Sequence, residues 1–176
     1  RRPKNTRTPA EKHLRDLKAR LEEVSDISAA ASVLSWDQST YMPAGGAVAR
    51  GRQIARLSEI AHKRRTDPAI GRLLDKLTPF AQSLPPDHDD ACLIRVLRRD
   101  YEQSIRVPAD FVARRSKASS DAYNAWVTAR PANDFATMRP HLERALELSR
   151  EYAGFFSGHA HIMDPLIGPE IGRAHV

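Results

Sequence analysis

Leu14, Leu17, Leu21, Val24, Ile27, Ala31 and Leu34 recur at spacings of three and four. That spacing draws a single apolar stripe along an α-helix. Thr8-Pro9-Ala10-Glu11 stands just before it, a capping-box pattern with Pro at the first helical position. The stripe predicts a long helix to about Trp36, ended by Met42-Pro43 and Gly45-Gly46. A helix of that length has to be covered by other helices or by a sheet. Glycine is low, at 8 of 176 residues, and no long β-branched run is present, so a sheet is not expected.

The rest of the chain continues the helical pattern. A second helix is expected from Ala47 to Arg65, with Ile54, Leu57 and Ala61 inward and a basic outer face. Asp67-Pro68 signals the start of a third, short helix bearing Ile70, Leu73, Leu74 and Leu77. Thr78 to Pro86, with three prolines, reads as a loop. Asp87, Asp89 and Asp90 suit the positive end of a fourth helix, whose inward residues would be Cys92, Leu93, Val96, Leu97, Tyr101 and Ile105. Val107-Pro108 opens a fifth with Phe111, Val112, Ala122, Tyr123 and Trp126 inward. Asn133-Asp134 opens a sixth with Met138, Leu142, Ala145, Leu146 and Tyr152 inward; Pro140 should kink or delay it, and Gly154 with Gly158-His159 should end it. The expected fold class is all-α, antiparallel helices around one core.

Charge restricts the partners. The net charge is +6, but Arg1, Arg2, Lys4, Arg7 and Arg173 supply five positives near the ends. Residues 9–170 carry 23 basic and 22 acidic side chains. A body so nearly neutral lacks the field that gathers phosphate, so no nucleic acid is expected. Residues 1–8 read as a flexible basic tail. No apolar run approaches the roughly 18–20 residues of a membrane span, so no membrane partner is expected. Cys92 is the one cysteine and permits no internal disulfide, which fits a reducing compartment.

The last six residues, Ile171-Gly172-Arg173-Ala174-His175-Val176, match the translation of one frame of a widely used short-read sequencing adapter. The expectation is that residues 171–176 are read-through and the gene is truncated. Genomic sequence continuing through residue 176 would refute it.

Two motifs stand apart from the helical pattern. One is Ser35-Trp36-Asp37-Gln38-Ser39-Thr40-Tyr41-Met42-Pro43; the other is Thr66-Asp67-Pro68-Ala69-Ile70-Gly71. Both resemble the N-terminal region of the carboxypeptidase Taq family of zinc metallocarboxypeptidases. Gln53, Leu57, His62, Arg106-Val107-Pro108, Trp126, Asp134-Phe135, Leu142 and Tyr152-Ala153 follow in matching order, so the resemblance covers roughly residues 10–169. It implies the N-terminal helical part of a larger, mostly helical metallopeptidase. It also implies a cytoplasmic, zinc-dependent enzyme that removes C-terminal residues from peptides, as a homodimer at full length. The implied chemistry is a metal-polarised water attacking the scissile carbonyl with help from a Glu. The implied place of these helices is the wall of a deep groove leading to the metal.

The chain does not contain the residues for that chemistry. A helical His-Glu-x-x-His puts two metal-binding His one turn apart on one face. No two of the seven His here are four apart, and no such motif occurs. In the resembled family it lies downstream of the matched segment. No catalytic, cofactor-binding or metal residue is therefore assigned in this chain, and zinc would be held by residues outside it.

Four weaker clusters have ordinary readings. His159-Ala160-His161 with Asp164 could clip a metal, but reads as an exposed loop. His141, Glu143, Glu147 and Glu151 read as a solvated face paired with Arg144 and Arg150. Cys92 reads as a small core residue. Trp36 reads as buried, with Asp37 or Gln38 bonding backbone groups of the Met42-Pro43 turn; a catalytic or substrate-binding Asp37 is the alternative. Other classes to weigh are a stand-alone helical interaction module and a basic helical nucleic-acid binder.

Overall fold

The computed structural model describes residues 8–170. The basic tail, apart from Thr8, and residues 171–176 lie outside the described residues. The described residues form seven α-helices and no strand: α1 Pro9–Thr40, α2 Ala47–Arg65, α3 Pro68–Gln82, α4 Asp89–Ser104, α5 Ala109–Ala129, α6 Phe135–Gly154 and α7 Asp164–Glu170. A 3-10 turn, Ala44–Gly46, joins α1 to α2. The chain divides into two compact units rather than the single core expected. One takes the chain up to Ala30 with Ile60–Ile105; the other takes Ala31–Glu59 and the chain from Arg106 onward.

The first unit is built on the α1 stripe. The capping box is made as expected: Thr8 N–H donates to Glu11 Oε2 at 2.8 Å and Glu11 N–H to Thr8 Oγ1 at 3.3 Å. Leu14 and Leu17 then join Ile70, Leu74 and Leu77 of α3 and Ile94 of α4 in one buried cluster. At about 1.5–3 kcal/mol per fully buried aliphatic side chain, this cluster is the main stabilising feature of the unit.

α3 corrects one expectation. It continues through Thr78–Gln82, where a loop was expected, with Pro79 inside it. Leu77 is fully buried, and Phe80 and Ala81 extend the apolar face onto the same cluster. Pro79 cannot donate to the Asp75 carbonyl. Arg98 of α4 spans this turn, donating to the Asp75 carboxylate at 3.0 Å and to Thr78 Oγ1 at 2.9 Å. Packing outweighs the one lost hydrogen bond.

α4 packs Leu97 and Tyr101 on the core as expected, but differs at other positions. Ala91 and Ile94 are buried, while Val96 and Ile105 are exposed and Cys92 is half-buried. His88, not an aspartate, caps it: Nδ1 accepts the Asp90 N–H at 3.1 Å.

In the second unit α5 and α6 pair around Phe111, which is fully buried against Leu148 and Val107. Phe155 meets the Phe111 ring edge-on, with centroids 5.0 Å apart. Arg114 of α5 makes a forked pair with Glu151 of α6, at 2.9 and 2.5 Å. That bond lowers the Glu151 pKa and raises that of Arg114. Within the acidic row of α6, Glu147 pairs with Arg144 as expected, while Glu151 looks to Arg114 of α5. Asp134 caps α6 by accepting the Thr137 N–H at 3.1 Å, so the helix starts at Phe135 and Pro140 does not delay it. Asn133, at φ 53°, turns the chain between the two helices in a conformation that Asn tolerates. Trp126, Leu142, Ala145 and Leu146, expected inward, are exposed.

Candidate functional site

The Trp36 block forms the corner between α1 and α2. α1 runs one turn past the expected end, to Thr40, and the Asp37 carbonyl accepts the N–H groups of Tyr41 and Met42 at 3.0 and 2.9 Å. The turn is therefore held by main chain, which leaves the Asp37 and Gln38 side chains available for other partners.

Asp37 forms an ion pair with Arg50 of α2. The same guanidinium donates to the Leu34 carbonyl at 2.9 Å. Gln38 Nε2 donates to Ser120 Oγ at 2.8 Å and to Asn124 Oδ1 at 3.0 Å, both on α5. Ser120 is buried, and Gly51 of α2 lies against it: a Cβ at Gly51 would sit 3.2 Å from Ser120 Oγ. Asp37 thus ties α1 to α2, Gln38 ties α1 to α5, and Gly51 lets α2 approach α5. These partners on other helices replace the turn-backbone partners expected from sequence.

Trp36 is the larger correction. It is 58% exposed, not buried, and meets Tyr41 edge-on with centroids 5.5 Å apart. Tyr41 is more exposed still. Helical periodicity turns Gln38 toward α5, and this leaves Trp36 outward.

Beside the corner, α1, α2 and α5 enclose an open cleft of about 690 Å³. Seven serines line it, with Gln38, Arg115 and Tyr123 as its other polar groups. No carboxylate, imidazole or thiol lines it. Several hydroxyls are already engaged: Ser35 and Ser39 donate to carbonyls one turn back, and Ser58 and Ser116 bond each other at 3.1 Å. Such a surface can hold polar chain by hydrogen bonds, but it has no general base and no metal ligand.

The remaining clusters fare similarly. His161 Nδ1 accepts the Met163 N–H at 3.1 Å and Asp164 accepts the His161 N–H at 3.1 Å, so both serve the start of α7. Among the described residues, no three His, Cys, Asp or Glu are grouped to hold a metal ion. Cys92 Sγ donates to the Pro86 carbonyl at 3.3 Å and receives Arg95 at 3.2 Å. On the basic α2 face, Arg50 is paired as described, Arg56 with Glu59 and Arg64 with Glu23. No described helix is long and apolar enough to cross a membrane.

The second motif has a similar local logic. Thr66 Oγ1 donates to the His62 carbonyl at 2.8 Å, closing α2. Asp67 accepts the Ala69 N–H at 2.7 Å, and Arg20 of α1 donates to it at 3.1 Å. The Ala69 hydrogen bond, aided by Arg20 and Arg72, lowers the Asp67 pKa against an opposing effect of burial. Gly71 gives the Tyr101 ring its place, since a Cβ there would lie 2.8 Å from Tyr101 Oη.

The described residues are helical, with two motif corners between helices. The family model of the carboxypeptidase Taq (M32) metallopeptidases matches residues 16–169, and the chain belongs to that family. It is 34% identical over 133 residues to thermostable carboxypeptidase 1 of Thermus thermophilus, which covers 74% of this chain and 26% of that protein. Carboxypeptidase 1 of Bacillus subtilis is 26% identical over 147 residues, 84% of this chain and 29% of the relative. Among solved structures, the M32 carboxypeptidase of Deinococcus radiodurans aligns with TM-score 0.64 and 38% identity, over 90% of this chain and 31% of that one. The chain thus spans less than a third of the length of these relatives.

Proposed function

We propose that this chain is the N-terminal portion of a metal-dependent carboxypeptidase that releases C-terminal residues from peptides. Its helices form part of the groove wall rather than the catalytic centre. The observation that carries this reading is the family match over residues 16–169 in a chain covering under a third of its relatives.

On this reading zinc is the metal, bound by residues outside this chain, and no step of the reaction runs through side chains present here. The wall restricts entry to flexible peptide ends, and so contributes selectivity. The full-length enzyme is a cytoplasmic homodimer. Residues 9–170 are its N-terminal helical region.

Two measurements test this. The downstream coding sequence should encode His-Glu-x-x-His, and its absence there would defeat the enzymatic reading. The purified chain, supplied with zinc and an N-blocked dipeptide, should release no C-terminal amino acid. Zinc-dependent turnover by the chain alone would overturn the division of labour.

A further inference from the structure

We infer that the outer face of α6 is a docking surface, and that its occupant is an apolar helical face from the part of the M32 fold that this chain does not span. The inference rests on the functional reading above only in identifying that occupant. Leu148 and Tyr152 turn α6 toward Phe111 of α5. About 120° further round the helix lie Phe135, Leu142 and Leu146, by the 3.6-residue period. They are 67%, 46% and 58% exposed, with α5 and α7 both in place. The apolar arc of α6 is therefore wide enough for two neighbours, and this unit covers only part of it.

The patch continues at the α5–α6 turn. Trp126, 48% exposed, lines a hollow of about 220 Å³ with Phe135 and Met138. The nearby charges are satisfied on α6 itself: Arg139 pairs with Glu143 at 2.8 Å, and Arg144 with Glu147 at 2.8 Å. A contiguous exposed apolar patch of this kind fits an apolar polypeptide face. The Deinococcus relative has more than two-thirds of its chain beyond the region matched here, so a long stretch of the fold is available to cover the patch.

The test is a chimera in which the full chain replaces the matching region of the Thermus thermophilus carboxypeptidase. Amide exchange in α6 around Leu142 and Leu146 should slow at least about tenfold in the chimera relative to the chain alone. Leu142→Glu with Leu146→Glu should leave the melting temperature of the chain alone within about 2 °C, because both side chains already face solvent. In the chimera the same pair should lower it by more than about 5 °C, since two charges then enter an apolar contact. Val48→Glu, at an 80% exposed position on α2, is the control and should be tolerated in both. Unchanged α6 exchange, or a tolerated double variant in the chimera, overturns the inference. An insoluble unsubstituted chimera also counts against it. A dimer of the chain that the double variant makes monomeric, with the chimera unaffected, assigns the face to a second copy instead. A downstream gene without a metal motif would sink the functional reading and leave the α6 result standing.

Discussion

The two motif corners make opposite use of their residues. At Thr66–Gly71 every distinctive side chain is spent on folding: Thr66 closes α2, Asp67 caps α3, Ile70 enters the core and Gly71 admits Tyr101. At Ser35–Pro43 Asp37 and Gln38 are spent on joining helices, while Trp36 and Tyr41 remain in solvent. A motif of the first kind reports stability. A motif of the second kind holds surface in reserve, which a chain alone does not use.

Substitution can break that contrast. Ile70→Ala should have the largest effect, about 2–5 kcal/mol in urea unfolding of the chain, because it opens a cavity among Leu17, Leu74 and Leu77. A loss below about 1 kcal/mol would deny the first corner its core role. Gly71→Ala should cost about 1–3 kcal/mol by overpacking against Tyr101. Tyr101→Ala should carry its own cost, yet the double variant should lose less than the two singles together. Strict additivity would show that the close approach is not what Gly71 permits.

Asp67→Ala should cost about 1 kcal/mol at neutral pH by removing the cap. The sign of its pH dependence follows from the lowered pKa. The unfolded chain holds the Asp67 proton at higher pH than the folded one, so the cap's charge-dependent contribution is present above about pH 4. It fades as pH falls through the lower folded value. Stability curves of the two proteins should converge in acid, and a gap that widened there would contradict the hydrogen-bonded carboxylate.

Much of the architecture was legible because caps and stripes are local. The capping box, the Ala47–Arg65 helix and the Asp67 cap each depend on residues within a few positions of one another. The misses were tertiary. Pro79 reads as a breaker until Arg98 and the α3 core contacts are known. Trp126, Leu142 and Leu146 read as inward because apolar periodicity marks a face to be covered, not what covers it. The same limit applies at the site: Asp37 and Gln38 could be singled out, but Arg50, Ser120 and Asn124 lie on other helices, at offsets no local pattern encodes. Gln38→Ala, which strands Ser120 and Asn124, should cost about 1 kcal/mol.

Trp36→Ala should then be the mildest change, under about 1 kcal/mol in the chain, despite removing its most conspicuous side chain. The ring already meets solvent over more than half its surface, and its edge contact with Tyr41 is itself exposed. Little apolar area returns to water on truncation, so the area argument that makes a buried Trp costly does not apply. A loss above about 2 kcal/mol would show that the ring is buried in solution, and the contrast between the corners would collapse. A near-neutral result that turned into a clear loss of melting temperature or turnover in the full-length enzyme would sharpen it. The second corner would then be built for contacts this chain leaves open, while its hydrogen bonds only hold the aromatic pair in place.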